Sequence, residues 1–228
     1  MAYNRPMRAA RLWIVVVLLA AAASTVNTQL QKTVSLVVTG GTVVTVDASR
    51  RVTRRMSLLI AAEVLKEIRT VEGTVQTPLG PAYARRVDAR VTLVPVLRAG
   101  LGMIEGVLEL LPKARVGHIG LQRDESTAEA LRYYLKLPPD IADDVVLVTD
   151  PMLATGGSAL AAIALLREAG VRDIRFVCVV AAPEGIAAIE RRFPDVPIYT
   201  PVVDRELNAQ TVIVPGLGDF GDRLFGTA

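Results

Sequence analysis

The stretch "VVLVTDPMLATGGSALAAI", residues 145–163, places a polar turn between two apolar runs. The β-branched run before Asp150 is typical of a buried strand, and the run from Ala159 to Gly170 has the length and the alanine and leucine content of a helix. Gly156 and Gly157 allow the backbone to approach a ligand closely, and the N–H groups and dipole at a helix start favour an anion. The stretch therefore predicts a strand-to-helix junction with a cradle for phosphate.

The glycine turn alone is equally typical of an ordinary strand-to-helix connection. It lacks the lysine and the spacing of the Walker pattern. Asp150 favours a binding site, because a carboxylate at the end of a buried strand must be solvated, paired, or bound to ligand hydroxyls or a metal. Thr155 and Ser158 add hydroxyl donors to the same turn.

Strand-like and helix-like runs alternate from residue 91 onward. The strand-like runs are VTLVPVL, ARVGHIGL, VVLVTD, IRFVCVVAA and VPIYTPVV, and the helix-like runs are GMIEGVLELL, ALAAIALLREAG and EGIAAIERRF. This alternation predicts an α/β domain with a mostly parallel sheet flanked by helices, in which ligands bind at the carboxyl edge. A further helix is predicted over Thr53 to Ile68, and a hairpin is predicted around Gly40 and Gly41 in residues 34–47.

The composition limits the classes of function. The chain has 228 residues, enough for one large α/β domain, and its 26 basic residues are matched by 23 acidic ones that are spread along the chain. The sequence contains no cluster of basic residues that would predict nucleic-acid binding. Cys178, the only cysteine, lies in an apolar run and is interpreted as a core residue. His118 is the only histidine and is interpreted as packed and hydrogen-bonded, so no histidine-based triad is expected.

The N-terminal residues 1–24 follow the plan of an export signal. Three arginines precede an apolar run from Leu12 to Ala23, and small residues follow that run. The run is shorter than the roughly 20 residues that span a bilayer comfortably. Two interpretations stay open: an exported or membrane-associated protein, or residues that are not part of the working protein, for example through a start codon assigned too far upstream.

Four motifs together carry a resemblance to a known family. They are LVPVLRAGLGM at 93–103, VGHIGLQRDE at 116–125, DPMLATGGSA at 150–159 and IVPGLGDFGDRLFGT at 213–227. In this order and at ungapped spacing, they resemble the uracil phosphoribosyltransferases from about Arg54 to Thr227. The resemblance implies an atypical N-terminal extension over 1–53 and a catalytic domain over 54–228. It also implies a phosphoribosyltransferase-type sheet with a small C-terminal hood that binds the base.

The resemblance implies that 5-phospho-α-D-ribose 1-diphosphate (PRPP) is the sugar donor. Arg98, Arg123 and Asp150 would carry catalysis, and these three residues and Asp219 would bind PRPP together with the rest of the turn. A guanidinium fork suits the dense charge of diphosphate, and Arg123 would open a mobile flap that excludes water. The turn residues implied to bind PRPP are Asp150, Pro151, Met152, Leu153, Ala154, Thr155, Gly156, Gly157 and Ser158.

The resemblance places uracil against Ile213 and the backbone of Gly218, Asp219 and Phe220. Backbone N–H and C=O groups there would match the pyrimidine edge, and the amine of cytosine would reverse one partner. An unpaired buried polar group costs about 1–3 kcal/mol, which is enough for discrimination. The implied reaction transfers ribose 5-phosphate to N1 of uracil, giving UMP and diphosphate. Mg2+ is the implied cofactor, held mainly through the donor and water.

Three features depart from the family pattern. Phe220 stands where the family usually has alanine, Ala128 and Ala130 give a flap with smaller side chains, and the arm that helps to pair subunits is not recognisable in residues 1–53. Two alternatives therefore stay open: a regulatory protein that binds uracil or PRPP with weakened turnover, and a phosphoribosyltransferase for another base. The resemblance further implies a homo-oligomer, a dimer or higher, and a GTP effector. Because PRPP is a cytosolic metabolite, the expected location is the cytoplasm.

Overall fold

The computed structural model describes residues 50–123 and 130–227. The signal-like segment 1–24 and the predicted hairpin in 34–47 lie outside the described residues. The helices are α1 (Arg50–Lys66), α2 (Ile104–Leu110), α3 (Gly157–Glu168), α4 (Pro183–Arg192) and α5 (Phe220–Phe225), with 3₁₀ turns at Ala99–Met103 and Ile141–Asp143. The strands are β1 (Thr70–Thr77), β2 (Gly80–Val87), β3 (Val91–Leu97), β4 (Arg115–Val116), β5 (His118–Arg123), β6 (Ala130–Lys136), β7 (Val145–Thr149), β8 (Met152–Leu153), β9 (Asp173–Val177), β10 (Val180–Ala181), β11 (Ile198–Tyr199), β12 (Glu206–Leu207) and β13 (Ile213–Val214).

A seven-stranded sheet forms the centre of the molecule. Its order is β11-β9-β7-β3-β5-β6, and the short β4 also pairs with β3. All pairs in it are parallel except β5 with β6. The predicted mostly parallel sheet is therefore confirmed, and the carboxyl ends of β3, β5, β7, β9 and β11 meet at one edge.

The two faces of the sheet carry separate hydrophobic clusters. Along β7, Val146 and Val148 face one cluster with Ile163 of α3 and Ile189 of α4. Val145 and Leu147, which alternate with them, face a second cluster with α1 and α2. All of β7 and nearly all of β3 are buried, as expected for strands that are covered on both sides. The central strand β7 is therefore fixed from both faces.

Some elements differ from the sequence predictions. The antiparallel hairpin of β1 and β2 was not predicted, and it carries Leu79 and Tyr83, which are 101% and 94% exposed. Part of the predicted flap, residues 130–136, forms the edge strand β6. The predicted strand over 196–203 is reduced to the two residues of β11. The segments of β1, β2 and β6 lack the continuous burial that makes a strand recognisable in the sequence.

The C-terminal part of the chain forms a small hood over the carboxyl edge. The antiparallel pair β12 and β13 and the helix α5 build it, and a third hydrophobic cluster fills it. The short parallel pair β8 and β10 connects this region to the sheet. Within the described ranges, no helix is both long and apolar enough to cross a bilayer.

Candidate active site

The turn between β7 and α3 encloses a small pocket of about 110 Å³. The residues that line it are Asp150, Met152, Leu153, Ala154, Thr155, Gly156, Gly157, Ser158 and Ala159. Pro151, which was predicted with them, is buried beneath the turn. Beyond Gly157, whose N–H donates to the Thr155 hydroxyl, the first N–H groups of α3 have no carbonyl partner one turn earlier and can face an anion.

Gly156 provides the backbone conformation that the turn requires. It caps α3 with φ 84°, in the left-handed region that favours glycine. An added Cβ would lie 3.1 Å from the Ala188 Cβ and 3.3 Å from the Gly185 carbonyl oxygen. Thr155 stabilises the turn, since its hydroxyl accepts a 3.4 Å hydrogen bond from the Gly157 N–H. The turn therefore has the left-handed glycine and the helix start on which the predicted cradle depends.

Asp150 lies at the rim of this pocket, directly after β7. Its side chain is half-buried, and its Oδ1 accepts a 3.4 Å hydrogen bond from the Met152 N–H. Burial raises the pKa of Asp150 to about 7, and the Met152 N–H offsets only part of that shift. A carboxyl group with such a pKa is suited to hydrogen bonding with sugar hydroxyls.

Cys178, by contrast, is fully buried. Burial raises the pKa of its thiol to about 12, so the thiol stays neutral. The interpretation of Cys178 as a core residue is confirmed. His118 is half-buried and lies in β5, opposite Lys136 of β6.

A second loop follows β3 and brings Arg98 to the same edge. Gly100 in this loop passes so close to the end of β7 that an added Cβ would lie 2.3 Å from the Thr149 carbonyl oxygen. Only glycine fits there, and the sequence analysis did not single it out. The Arg98 side chain is 55% exposed, and its Nη2 donates a 3.3 Å hydrogen bond to Asp222 Oδ1.

The loop between β13 and α5 contributes the residues predicted to contact a base. Ile213 is buried, whereas Gly218 and Asp219 are exposed. Gly218 adopts φ 70°, and Asp219 caps α5 by accepting a 2.8 Å hydrogen bond from the Asp222 N–H. The exposed backbone of this loop is therefore held in a fixed conformation, with polar groups open to a ligand.

Phe220 lies in the hydrophobic cluster on which the three loops meet. Its ring is 2% exposed and packs with Ile213 in the cluster of the hood. Ala99 of the Arg98 loop packs against the same cluster, and so do Met152 and Ala154 of the turn predicted to bind phosphate (residues 150–158, here the phosphate turn). Almost no surface of the ring is accessible to a ligand, so Phe220 presents its backbone rather than its side chain.

The structure brings most of the predicted residues to one edge of the sheet. Arg98, the turn from Asp150 to Ser158, and Asp219 belong to loops that contact one another through the hood cluster. Arg123 is the last residue of β5, which is in register with β3 at Leu97 and Gly120 and so continues past its end. The flap residues that follow, 124–129, lie outside the described residues.

Asp222 is a further residue of this edge to which the sequence analysis gave no role. The available signal was a second aspartate in a glycine-rich loop, at 213–227. Its contact with Arg98 joins positions 124 residues apart in the chain. A contact between residues so far apart in the chain cannot be predicted from the local sequence.

A parallel sheet with a phosphate turn after one strand, an arginine loop after its neighbour and a hood above both defines the phosphoribosyltransferase class. A family model described as uracil phosphoribosyltransferase matches residues 41–227. The uracil phosphoribosyltransferase of Acholeplasma laidlawii is 51% identical over 178 residues, which cover 78% of this chain and 86% of that protein. That of Dictyoglomus thermophilum is 54% identical over 173 residues, covering 75% and 84%.

A solved structure has the same fold. The AQ2163 protein from Aquifex aeolicus matches with a TM-score of 0.75 and 37% sequence identity, covering 80% of this chain and 88% of that one. Sequence and fold agree over the same large part of the chain. The chain belongs to the uracil phosphoribosyltransferase family.

Proposed function

We propose that this chain transfers ribose 5-phosphate from PRPP to N1 of uracil, forming UMP and diphosphate. The observation that carries this function is the convergence of three loops at one sheet edge, in a chain of the uracil phosphoribosyltransferase family. These loops contain Arg98, the turn from Asp150 to Ser158, and the segment from Ile213 to Phe220. The catalytic domain in this proposal is 54–228, with 1–53 as an extension.

The phosphate turn binds the sugar donor in this proposal. The N–H groups at the start of α3 and the hydroxyls of Thr155 and Ser158 hold the 5-phosphate. Asp150 hydrogen-bonds the ribose hydroxyls, and its raised pKa supports the role, because ligand hydroxyls replace the water that burial removes.

Arg98 and Arg123 stabilise the diphosphate as it leaves. Arg98 reaches it from the loop after β3, and Arg123 from the end of β5 at the start of the flap. The two cations offset the negative charge that grows on the leaving oxygen, and the flap excludes the water that would compete for the sugar.

Uracil is bound by Ile213 and by the backbone of Gly218, Asp219 and Phe220, and Asp219 also reaches PRPP. The fixed conformation of this loop supports selection of uracil, because pre-organised N–H and C=O groups cannot reverse to suit cytosine. The buried ring of Phe220 supports a base site with room comparable to that of the relatives, since the larger side chain does not enter it.

The reaction needs little covalent work from the protein. The C1–oxygen bond to diphosphate breaks, the N1–C1 bond forms, and the N1 proton is released to water. The transition state resembles an oxocarbenium ion, so positioning and charge stabilisation supply most of the acceleration. No histidine base is required.

Mg2+ is the cofactor in this proposal. It would be held mainly by oxygen atoms of PRPP and by water, which are the hard ligands that it prefers. When bound, it would neutralise part of the diphosphate charge. Three finer expectations stay predictions from the resemblance: a homo-oligomer, activation by GTP, and a cytoplasmic location.

The function is tested by incubating the full chain with PRPP, Mg2+ and uracil, cytosine or hypoxanthine in separate reactions. We expect UMP from uracil and no nucleotide from the other two bases. Nucleotide formed from another base would favour a different base specificity. Binding of uracil and PRPP with no turnover would favour the regulatory alternative.

A further inference from the structure

Three contacts join Arg98 to the C-terminal end of the chain. Arg98 Nη2 donates to Asp222 Oδ1 at 3.3 Å and to Thr227 Oγ1 at 3.5 Å. The guanidinium carbon lies 5.9 Å from the centre of the Phe225 ring, within range of a cation–π contact. The Thr227 hydroxyl donates in turn to Asp222 Oδ1 at 2.6 Å. Arg98, Asp222 and Thr227 therefore form a closed triangle, with the Phe225 ring close to the guanidinium.

The triangle engages only one nitrogen of the guanidinium. Within the described part of the chain, no protein group accepts a hydrogen bond from Nε or Nη1 of Arg98. A guanidinium is planar and presents its donors in a rigid fork. When one nitrogen and one face are held, the orientation of the remaining N–H groups is also set. The N–H groups of Nε and Nη1 stay free, each as a separate donor to an anion, because both bidentate edges of the guanidinium include the engaged Nη2.

Asp222 itself is held by the loop proposed to bind the base. Its backbone N–H donates to the capping carboxylate of Asp219 at 2.8 Å. The next residue toward the N-terminus, Gly221, lies beside the loop that carries Arg98, since an added Cβ would be 3.8 Å from the Ala99 Cβ. Phe220 and Leu224 anchor the same helix in the hood cluster. One short helix thus links the base loop to the arginine.

We propose that Asp222 is a positioning residue for Arg98. It holds the guanidinium, before any ligand arrives, in the orientation in which the free N–H groups of Nε and Nη1 face the diphosphate of PRPP. The inference rests on the proposed function. Ordering a long side chain in advance removes part of the entropy cost of binding. The alternative role, in which the carboxylate competes with diphosphate for Arg98, predicts the opposite change in affinity.

The test measures binding of magnesium diphosphate to the full chain by calorimetry. Four proteins are compared: the unmodified chain, Arg98→Ala, Asp222→Asn and the double variant. Since Asp222→Asn keeps the backbone N–H that Asp219 accepts, the base loop should be unaffected. We expect Asp222→Asn to weaken diphosphate binding about tenfold, in the range of coupling between contacting residues, with less than about a twofold further effect in the Arg98→Ala background.

Steady-state kinetics distinguish a positioning role from a merely structural one, because only the positioning role predicts a change in the KM for PRPP alone. In Asp222→Asn the KM for PRPP should rise by about the same tenfold factor, while the KM for uracil stays within about twofold. Asp195→Asn is the matched control, because Asp195 accepts from Nη2 of Arg167 in another exposed aspartate–arginine pair. It should leave both KM values unchanged.

The outcomes separate this inference from the proposed function. If Arg98→Ala loses diphosphate binding while Asp222→Asn binds as well as the unmodified chain, or more tightly, the positioning role is wrong and the function stands. An equal loss from Asp222→Asn in both backgrounds also overturns the role, because the effect would not pass through Arg98. If the unmodified chain does not bind magnesium diphosphate at all, both proposals fail.

Discussion

An aspartate lies beside each end of β7, and the two carboxylates have opposite surroundings. Asp144 precedes the strand, and its fully buried side chain accepts from the Thr92 hydroxyl and pairs with Arg90 and Arg115. Asp150 follows the strand, and within the described residues no cationic side chain pairs with it. At the amino edge the protein neutralises the carboxylate charge, whereas at the carboxyl edge no described cationic side chain does so. The same residue type at a strand end therefore serves structure in one place and, in our proposal, binding in the other.

The largest effect is expected from removing the carboxylate at the amino edge. Asp144→Ala should lower the free energy of unfolding by about 3 kcal/mol, the lower end for a broken buried pair, because Arg90 and Arg115 reach solvent. Urea denaturation measures the loss. The specific activity of the folded fraction should stay within about twofold, and a large loss there would give Asp144 a part in the chemistry.

Asp150→Asn should lower activity strongly and stability little, which is the reverse of the effect expected for Asp144→Ala. We expect the rate of UMP formation to fall about 100-fold, equivalent to about 2.7 kcal/mol, because the amide cannot replace both carboxylate oxygens toward the ribose hydroxyls. Steady-state assays at saturating PRPP measure the fall. Folding should be intact, and unfolding of this variant with normal activity in its folded fraction would assign Asp150 to structure instead.

Gly100→Ala tests the contact between the two loops of the carboxyl edge. The added methyl group would meet the Thr149 carbonyl oxygen, so the Arg98 loop must shift, at a cost of about 2 kcal/mol in unfolding free energy. The KM for PRPP should rise as Arg98 moves. Gly73→Ala is the control, since an added Cβ there meets no atom within 4 Å. Equal stability and equal KM for PRPP in the two variants would contradict the close approach of Gly100 to the Thr149 carbonyl oxygen.

The pH dependence of stability should differ between the two edges. The pKa of Asp150 is raised from 3.8 to about 7, so between these values the folded chain binds more protons than the unfolded chain. Its contribution to the free energy of unfolding therefore falls as pH rises through this window. Asp150→Asn removes this pH dependence, so at pH 8 its free energy of unfolding should exceed that of the unmodified chain by about 1 kcal/mol. This gain is smaller than the full pKa shift implies, because the side chain reaches solvent.

At the amino edge the sign is opposite. The hydrogen bond from Arg115 lowers the pKa of Asp140, so the contribution of Asp140 to the free energy of unfolding is present above pH 4 and is lost as pH falls.

Urea denaturation of the unmodified chain and of Asp150→Asn from pH 5 to pH 8 measures the contribution of Asp150 to the free energy of unfolding. A difference between the two proteins that is constant across this range would show that Asp150 does not titrate there.

The sequence was sufficient for the buried centre of the fold and for the turn at its edge. The runs that form β3 and β7 are continuous and apolar, and the glycine pair before α3 marks its start, so burial and local conformation are both visible in the residues. The hairpin of β1 and β2 was missed because its side chains are mostly exposed and its alternation is weak.

Contacts between residues that are distant in the chain could not be predicted from the sequence. Nothing near Asp144 in the sequence indicates that it is buried and paired, because its partners Thr92 and Arg115 come from other strands. The partnership of Arg98 with Asp222 is hidden for the same reason. A motif can identify which residue types meet at an edge, but the choice of partner depends on how the chain packs.

The Phe220 ring belongs to the hydrophobic cluster against which the loops that we propose bind the sugar phosphate, the diphosphate and the base are packed. A smaller or larger residue at this position would change the volume of that shared cluster. Preference among bases and affinity for the donor would then vary together across a series of substitutions. In our proposal, selectivity for the base is therefore coupled, through this cluster, to the affinity for the sugar donor.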